Sequence, residues 1–369
     1  MSEFIQLHVL TAYPPSNLNR DDLGRPKSAM VGGVPRLRVS SQSLKRAWRT
    51  SSVFEDALAG HMGTRTKEMG RRVYASLRER GVASGKAAEW SGAIAEQFGK
   101  RKSKSDAVRR TLQKRFDDED VVEEELRLYE LEIEQLAHFS PEEVAAIDTL
   151  ADTMAARGSG PETDELDLLK KTHKAADIAL FGRMLAAKPA YNVEAAAQVA
   201  HAFTVNRVSA EQDFFTAVDD LNDGQEDVGA GHMGEVGFGA GVYYLYLCID
   251  RQSLADNLSG DQSLAMQVQR ALAEVVCTVA PTGKQNSFAA RSYASYVLAE
   301  RGSRQPRTLA TAFVRPVPDG DVLATAIERL EQCRDNMNQV YGACVDESVT
   351  FNCLTGSGSL AAVQDFLGR

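Results

Sequence analysis

From about residue 61 to residue 174 the chain is helical in pattern and densely charged, while runs with strand character lie on both sides. That interruption constrains the fold most, because any sheet must be completed by segments lying on either side of a long helical insertion. On the N-terminal side, Phe4–Thr11 carries Ile5, Leu7 and Val9 on one side of a period-2 pattern and reads as a strand. Pro14, Pro15, Asn17, Asn19, Gly24 and Pro26 make residues 13–35 an extended loop. Leu37 and Val39 read as a short second strand, after which Ser40-Ser41 in N-cap position open a helix from Gln42 to Thr50. Beyond the insertion, strand character returns over Asp177–Met184, Val199–Val205 and Gly241–Asp250, and a loop of about 35 residues separates the last two. An amphipathic helix over Asp261–Val279, strand-like Tyr293–Ala299 and Leu309–Val314, and a second helix from Asp321 to Val340 follow. The expected fold class is α+β, a sheet of the ferredoxin-like type with inserted lobes.

Charge is the first functional clue. The chain of 369 residues has a net charge of −9, which argues against a nucleic-acid partner until its distribution is considered. Residues 1–50 hold eight Lys/Arg and three Asp/Glu, a balance of +5, and the remainder stands at −14. Screening confines repulsion from distant acids to roughly 8–10 Å, so a locally basic segment can still hold phosphate. Lys100–Arg115 is a second basic run, followed by acidic Asp117–Glu134; such blocks read as solvated helix faces, although the basic half can also touch RNA or a neighbouring subunit.

Other classes find less support. Apolar runs are too short to cross a bilayer, and the segment Met1–Leu10 lacks the basic n-region and cleavage site of a signal peptide, so a cytoplasmic protein is expected. Cys248, Cys277, Cys333, Cys344 and Cys353 show no CxxC spacing and read as free thiols. The dispersed histidines His8, His61, His138, His173, His201 and His232 form no metal-binding motif, so neither metal nor cofactor is expected. Gly229, Gly231 and Gly234 match GxGxxG, but a polar segment precedes them and a strand follows, which is the wrong setting for a dinucleotide site; hinge glycines are the better reading. Gly283-Lys284-Gln285 fails as a P-loop because position 278 is Thr and no Ser or Thr follows the lysine.

The helix after Val39 is the most informative element. Leu44, Ala47, Trp48 and Ser51 share one face; Gln42, Lys45, Arg46 and Arg49 share another. Its N-terminal amides, with Ser40 and Ser41, suit an anion, and Arg20, Lys27, Arg36 and Arg38 can add contacts to a nucleic-acid backbone. In the long loop, Phe214-Phe215 is either a small satellite core or a wedge against unstacked bases, and the residues alone leave both open. Asp21-Asp22 and Asp219-Asp220 read as turn or capping residues rather than metal ligands or general bases.

Asn19-Arg-Asp-Asp22, Gly32-Gly33 and above all Arg38-Val-Ser-Ser-Gln-Ser-Leu-Lys-Arg-Ala47 resemble the N-terminal signature of CasC, the backbone subunit (RAMP superfamily) of the type I-E CRISPR Cascade complex. Ala179-Leu-Phe-Gly-Arg-Met184, Ala200-His-Ala202, Phe215-Thr-Ala-Val-Asp-Asp220 and Gly283-Lys-Gln285 continue the resemblance in the family's order, while residues 61–174 match it poorly. The resemblance implies an RRM-like palm in three parts (1–60, 175–205 and 236–369), a helical fingers insertion at 61–174 and a β-hairpin thumb at 206–235. It also implies a chain without catalytic role that stacks with copies of itself and other Cascade subunits along a CRISPR RNA, presenting the guide in segments to target DNA. The implied RNA-binding residues are Arg20, Lys27, Arg38, Ser40, Gln42, Lys45, Arg46, Arg49, Lys284 and Gln285, with Met184, Phe215 and Val218 around a flipped base. The alternative is a backbone subunit like those of type III complexes, cutting RNA with a metal and Asp21 or Asp22; the I-E-like signature weighs against it.

Overall fold

The computed structural model describes residues 3–217 and 232–369. The chain divides into two units, one formed by Met1–Ala57, Ala197–Gln252 and Ser263–Arg369, the other by Leu58–Ala196 and Ser253–Gln262. The inserted unit therefore runs on to Ala196 and takes in a later segment, whereas the sequence reading returns the chain to the palm at residue 175.

The first unit is built on an antiparallel sheet. Its described strands are β1 (Phe4–Ser16), β2 (Ser28–Val31), β3 (Val34–Val39), β4 (Ala197–Val199), β5 (Ala202–Thr204), β6 (Glu211–Ala217), β7 (His232–Asp250), β8 (Tyr296–Gly302) and β9 (Glu347–Asn352). The order across the sheet is β9-β8-β1-β7-β5-β3-β2, with β4 and β6 also paired to β7. The α+β expectation therefore holds. Strand β1 extends five residues past the expected end, through Pro14 and Pro15; residues 17–27 remain a loop, and the stretch from Ser28 folds back as the β2–β3 hairpin. That hairpin closes on Gly32 and Gly33, both with positive φ (60° and 78°), the backbone that a two-residue turn needs.

Three expected strands differ. Asp177–Met184 overlaps a helix, Ala176–Phe181, and Leu309–Val314 contains a 3-10 turn, Ala310–Phe313. Short apolar runs carry too few residues to separate a buried strand from a buried helical turn. In the first case buried Asp177 accepts from the amides of Gly63 and Ile178, and Gly182 at φ 81° ends the turn. The expected strand Val199–Val205 is split into β4 and β5. The long helices fall where periodicity places them, Gln262–Thr278 and Val322–Tyr341, the latter capped by Asp321.

Strand β1 is buried on both faces. Ile5, Leu7 and Val9 are at most 1% exposed, and so are His8 and Leu10 on the opposite face. Leu10 packs with Tyr244, Tyr296, Leu298, Phe313, Ile327 and Leu330. His8 Nδ1 lies 2.9 Å from the Tyr244 hydroxyl and Nε2 3.4 Å from the Glu300 carboxylate, which only accepts; the neutral ring therefore keeps its proton on Nε2, and the hydroxyl donates to Nδ1. Burial would raise the Glu300 carboxyl, but His8, Arg307 and Arg334 around it hold it at about 2, and burial keeps His8 below its ordinary value. Both groups bind protons more readily when unfolded. Stability from His8 is complete above about pH 6.5 and that from Glu300 above about pH 4.5, and each is lost as pH falls below those points. Urea midpoints of this unit should therefore fall as the pH is lowered from 7 to 4; a midpoint constant down to pH 4 would contradict the assignment.

The second unit is helical. Met69–Glu79, Ser84–Glu96, Glu119–Glu130 and Pro141–Arg157 surround a core containing Val73, Leu77, Trp90, Ile94, Phe98, Phe139, Ile147 and Met154. The charged blocks inside it largely neutralise each other: Lys100 pairs with Glu134, Lys102 with Glu132, Lys104 with Glu130 and Arg109 with Glu119. The basic run is a solvated face, as expected, and it carries surface ion pairs: the side chains of Lys100 and Lys104 stay 79% and 65% exposed. Among the described residues no helix is long and apolar enough to cross a membrane.

Candidate nucleic-acid interface

The basic helix spans Ser41–Arg49 and is fastened by its apolar face, with Leu44, Ala47 and Trp48 buried. Ser40, in extended backbone, is the N-cap, its Oγ accepting from the Ser43 amide at 3.3 Å. Gln42 and Arg46 are exposed, and Lys45 and Arg49 half-buried. The first turn holds no acid, and Arg46 and Arg49 fall in the last, where the helix dipole favours cations.

A hydrogen-bonded loop brings the upstream cations to this helix. The Ser40 amide donates to Asn19 Oδ1 (2.9 Å), the Lys27 amide to the Asn19 carbonyl (2.8 Å), and the Arg38 amide to the Lys27 carbonyl (2.8 Å). Arg20, beside Asn19, bridges to Pro26, and is exposed. Arg20, Lys27, Arg38, Ser40 and the helix therefore share one scaffold. Asn17, fully buried, pins the loop from beneath: its amide donates to the carbonyls of Gly24 (3.0 Å) and Gly237 (2.8 Å). Arg38 extends from β3 to His201, with Nη1 2.6 Å from Nδ1.

Arg36 is a correction. It is fully buried and donates to the carbonyls of Thr204 (2.8 Å) and Phe313 (3.0 Å), so it bolts strands together and is closed to a backbone phosphate. Asp21 behaves as the turn residue expected, its carboxylate taking the amides of Leu23 and Arg25 and the Arg25 side chain. The Arg25 amide, ahead of the other partners, holds that carboxyl below its ordinary value.

Lys284 and Gln285 lie in a loop packed on the same N-terminal stretch. Gly283 approaches the carbonyls of Asn17 and Leu18 so closely that a Cβ would sit 2.7 and 2.4 Å from their oxygens. Lys284 is exposed, whereas Gln285 donates to the carbonyls of Pro281 (2.8 Å) and Ala290 (3.3 Å) and so closes its own loop.

What the sequence reads as a long loop contains a hairpin, β6 against the first part of β7, from Glu211↔Phe238 to Ala217↔His232. Phe214 and Phe215 project from it, 59% and 44% exposed, which removes the satellite-core alternative. Gly234 faces Phe215 across the ladder, and a Cβ there would meet its ring at 2.6 Å. Gly234 is thus a strand glycine that seats an aromatic ring rather than a hinge. Val218, Asp219, Asp220, Gly229 and Gly231 lie outside the described residues. Met184 belongs to the inserted unit and is 76% exposed.

Among the described residues no group of three or more His, Cys, Asp or Glu side chains is arranged to hold a metal ion. Sequence reading missed His201, Asn17 and Asn19 as parts of the site. His201 and Asn19 fall in stretches that carry the resemblance but are assigned no role there, and Asn17 reads only as a loop former.

A sequence model of the CT1975-like protein family matches residues 5–365. A chain of a structure described as a CRISPR RNA-guided surveillance complex, pre-nicking, is 26% identical, with 99% of each chain covered and a TM-score of 0.79. A chain of a second CRISPR RNA-guided surveillance complex shares the fold at 22% identity and a TM-score of 0.69, again over 99% of each chain. Comparison with curated proteins gives no match.

Proposed function

Because the chain belongs to the CT1975-like protein family, we propose that it is the CRISPR RNA-binding backbone subunit of a type I-E Cascade-like complex. The observation that carries this reading is the loop–helix scaffold, which gathers Arg20, Lys27, Arg38, Lys45, Arg46 and Arg49 from an otherwise acidic chain. Likeness over 99% of the chain to a subunit of an RNA-guided complex supports it.

In this reading the protein acts in the cytoplasm, together with other Cascade subunits, by shaping RNA rather than by chemistry. Cations on the palm hold the guide's backbone, and copies of the chain follow one another along it. Phe215 and Val218 of a neighbouring copy's thumb, with Met184 of the fingers, displace one base per step, leaving short stacked segments to pair with target DNA. Sequence recognition rests with base pairing, as backbone contacts carry none. The chain has no catalytic role, and Asp21 serves the turn that positions Arg20.

The test is what the protein carries when expressed beside a CRISPR array. Purified chain should bring down small RNA of one narrow length class. RNA of random lengths, or none, would refute guide binding.

A further inference from the structure

His201 lies just before β5, whose Ala202 and Phe203 pair with Val39 and Arg38 of β3. The register sets its exposed ring beside the Arg38 guanidinium, Nη1 to Nδ1 at 2.6 Å. A guanidinium only donates, so Nδ1 is the acceptor, and the neutral ring keeps its proton on Nε2. The charged groups acting on the ring are Arg38, from β3, and Lys27, from the loop before β2.

We propose, building on the RNA-binding reading, that His201 is a further member of the grip: a backbone phosphate seated among Arg38, Lys27 and His201 draws a proton from solvent onto Nδ1, linking RNA binding to proton uptake. Without the phosphate, a proton on Nδ1 would face the Arg38 N–H, break that hydrogen bond and add a third positive charge. Burial, then Arg38 and Lys27, accordingly keep the imidazole below its ordinary value. A phosphate offers only acceptor oxygens. Arg38 and protonated His201 can then donate to it side by side, and the anion offsets the repulsion that held the proton away. The bound complex therefore holds more protons than the free protein, and affinity rises as pH falls.

Binding of fluorescently labelled polyuridine to the full chain, followed by anisotropy at pH 8, 7 and 6 and constant ionic strength, tests this. Wild-type affinity should rise several-fold from pH 8 to pH 6, bounded at about tenfold per pH unit for one proton. His201→Gln keeps an acceptor for Arg38 but does not titrate. Its curve should be flat, with a loss relative to wild type that grows toward pH 6. A wild-type curve without slope, or a His201→Gln curve with the wild-type slope, overturns the proposal while leaving RNA binding intact. No binding by wild type at any pH overturns the RNA reading, and the proposal with it.

Discussion

Replacing Arg183 with methionine is expected to destabilise the inserted unit by about 3–5 kcal/mol, the cost of leaving a buried carboxylate without its counter-ion. The side chains of Arg183 and Glu143 are at most 1% exposed, and Arg183 Nη1 lies 2.8 Å from both carboxylate oxygens. The guanidinium also donates to the carbonyls of His138, Lys170 and Tyr191. Glu143 accepts in addition from the amides of Ser140 and Lys170, closing the capping box of the helix Pro141–Arg157. One arginine thus holds together a helix start, the short strand Ala137–Phe139, a loop at Lys170 and the 3-10 turn Pro189–Tyr191. The two tryptophans fall one in each unit, so a Trp48→Phe background leaves Trp90, in the core of the inserted unit, as its fluorescence reporter. With a slope of about 2 kcal/mol per molar urea, the midpoint should drop by about 2 M. Adding Glu143→Leu should recover part of the loss, because the pair removed together leaves no buried charge. A shift below about 1 kcal/mol in the single variant would show that the pair is not what holds this unit.

The same arginine shows where sequence reading stops. Ala179–Met184 is legible as a family-like stretch, but its position in a helix-ended turn and the burial of Arg183 depend on partners distant in sequence. Arg36 is the clearest instance. Its carbonyl partners, Thr204 and Phe313, lie 168 and 277 residues away, so nothing local distinguishes it from the exposed cations Arg20 and Arg46. Elements defined by their own periodicity and caps were legible: the helix Ser41–Arg49 with its serine cap and buried Leu44, Ala47 and Trp48, and the long helices Gln262–Thr278 and Val322–Tyr341. Segments such as Leu309–Val314 take their form from the core they enter. The charge blocks at 100–134 are legible as charge, but their mutual pairing requires the fold that brings Lys100 to Glu134.

Lys45→Ala combined with Arg49→Ala is expected to weaken RNA binding about 10–100-fold at physiological salt. Each lost phosphate contact should also reduce the slope of log affinity against log salt by about 0.7, hence by about 1.4 for both, per bound protomer. The two residues are four apart on one helix face, spaced to serve neighbouring phosphates. The helix should survive the change, since its anchoring residues are Leu44, Ala47 and Trp48, and alanine is the best helix former. Bulk electrostatics would predict something else: on a chain of net charge −9, any two lost cations would matter equally. Lys100→Ala combined with Arg109→Ala makes that comparison, because both residues are engaged with Glu134 and Glu119 in the inserted unit. With their charges already offset by those carboxylates, the control pair should leave affinity and slope within about twofold of wild type. Filter binding across a salt series decides between them. Equal losses in the two variants would reduce the interface to net charge, and unchanged affinity in the Lys45/Arg49 variant would remove the helix from the RNA site.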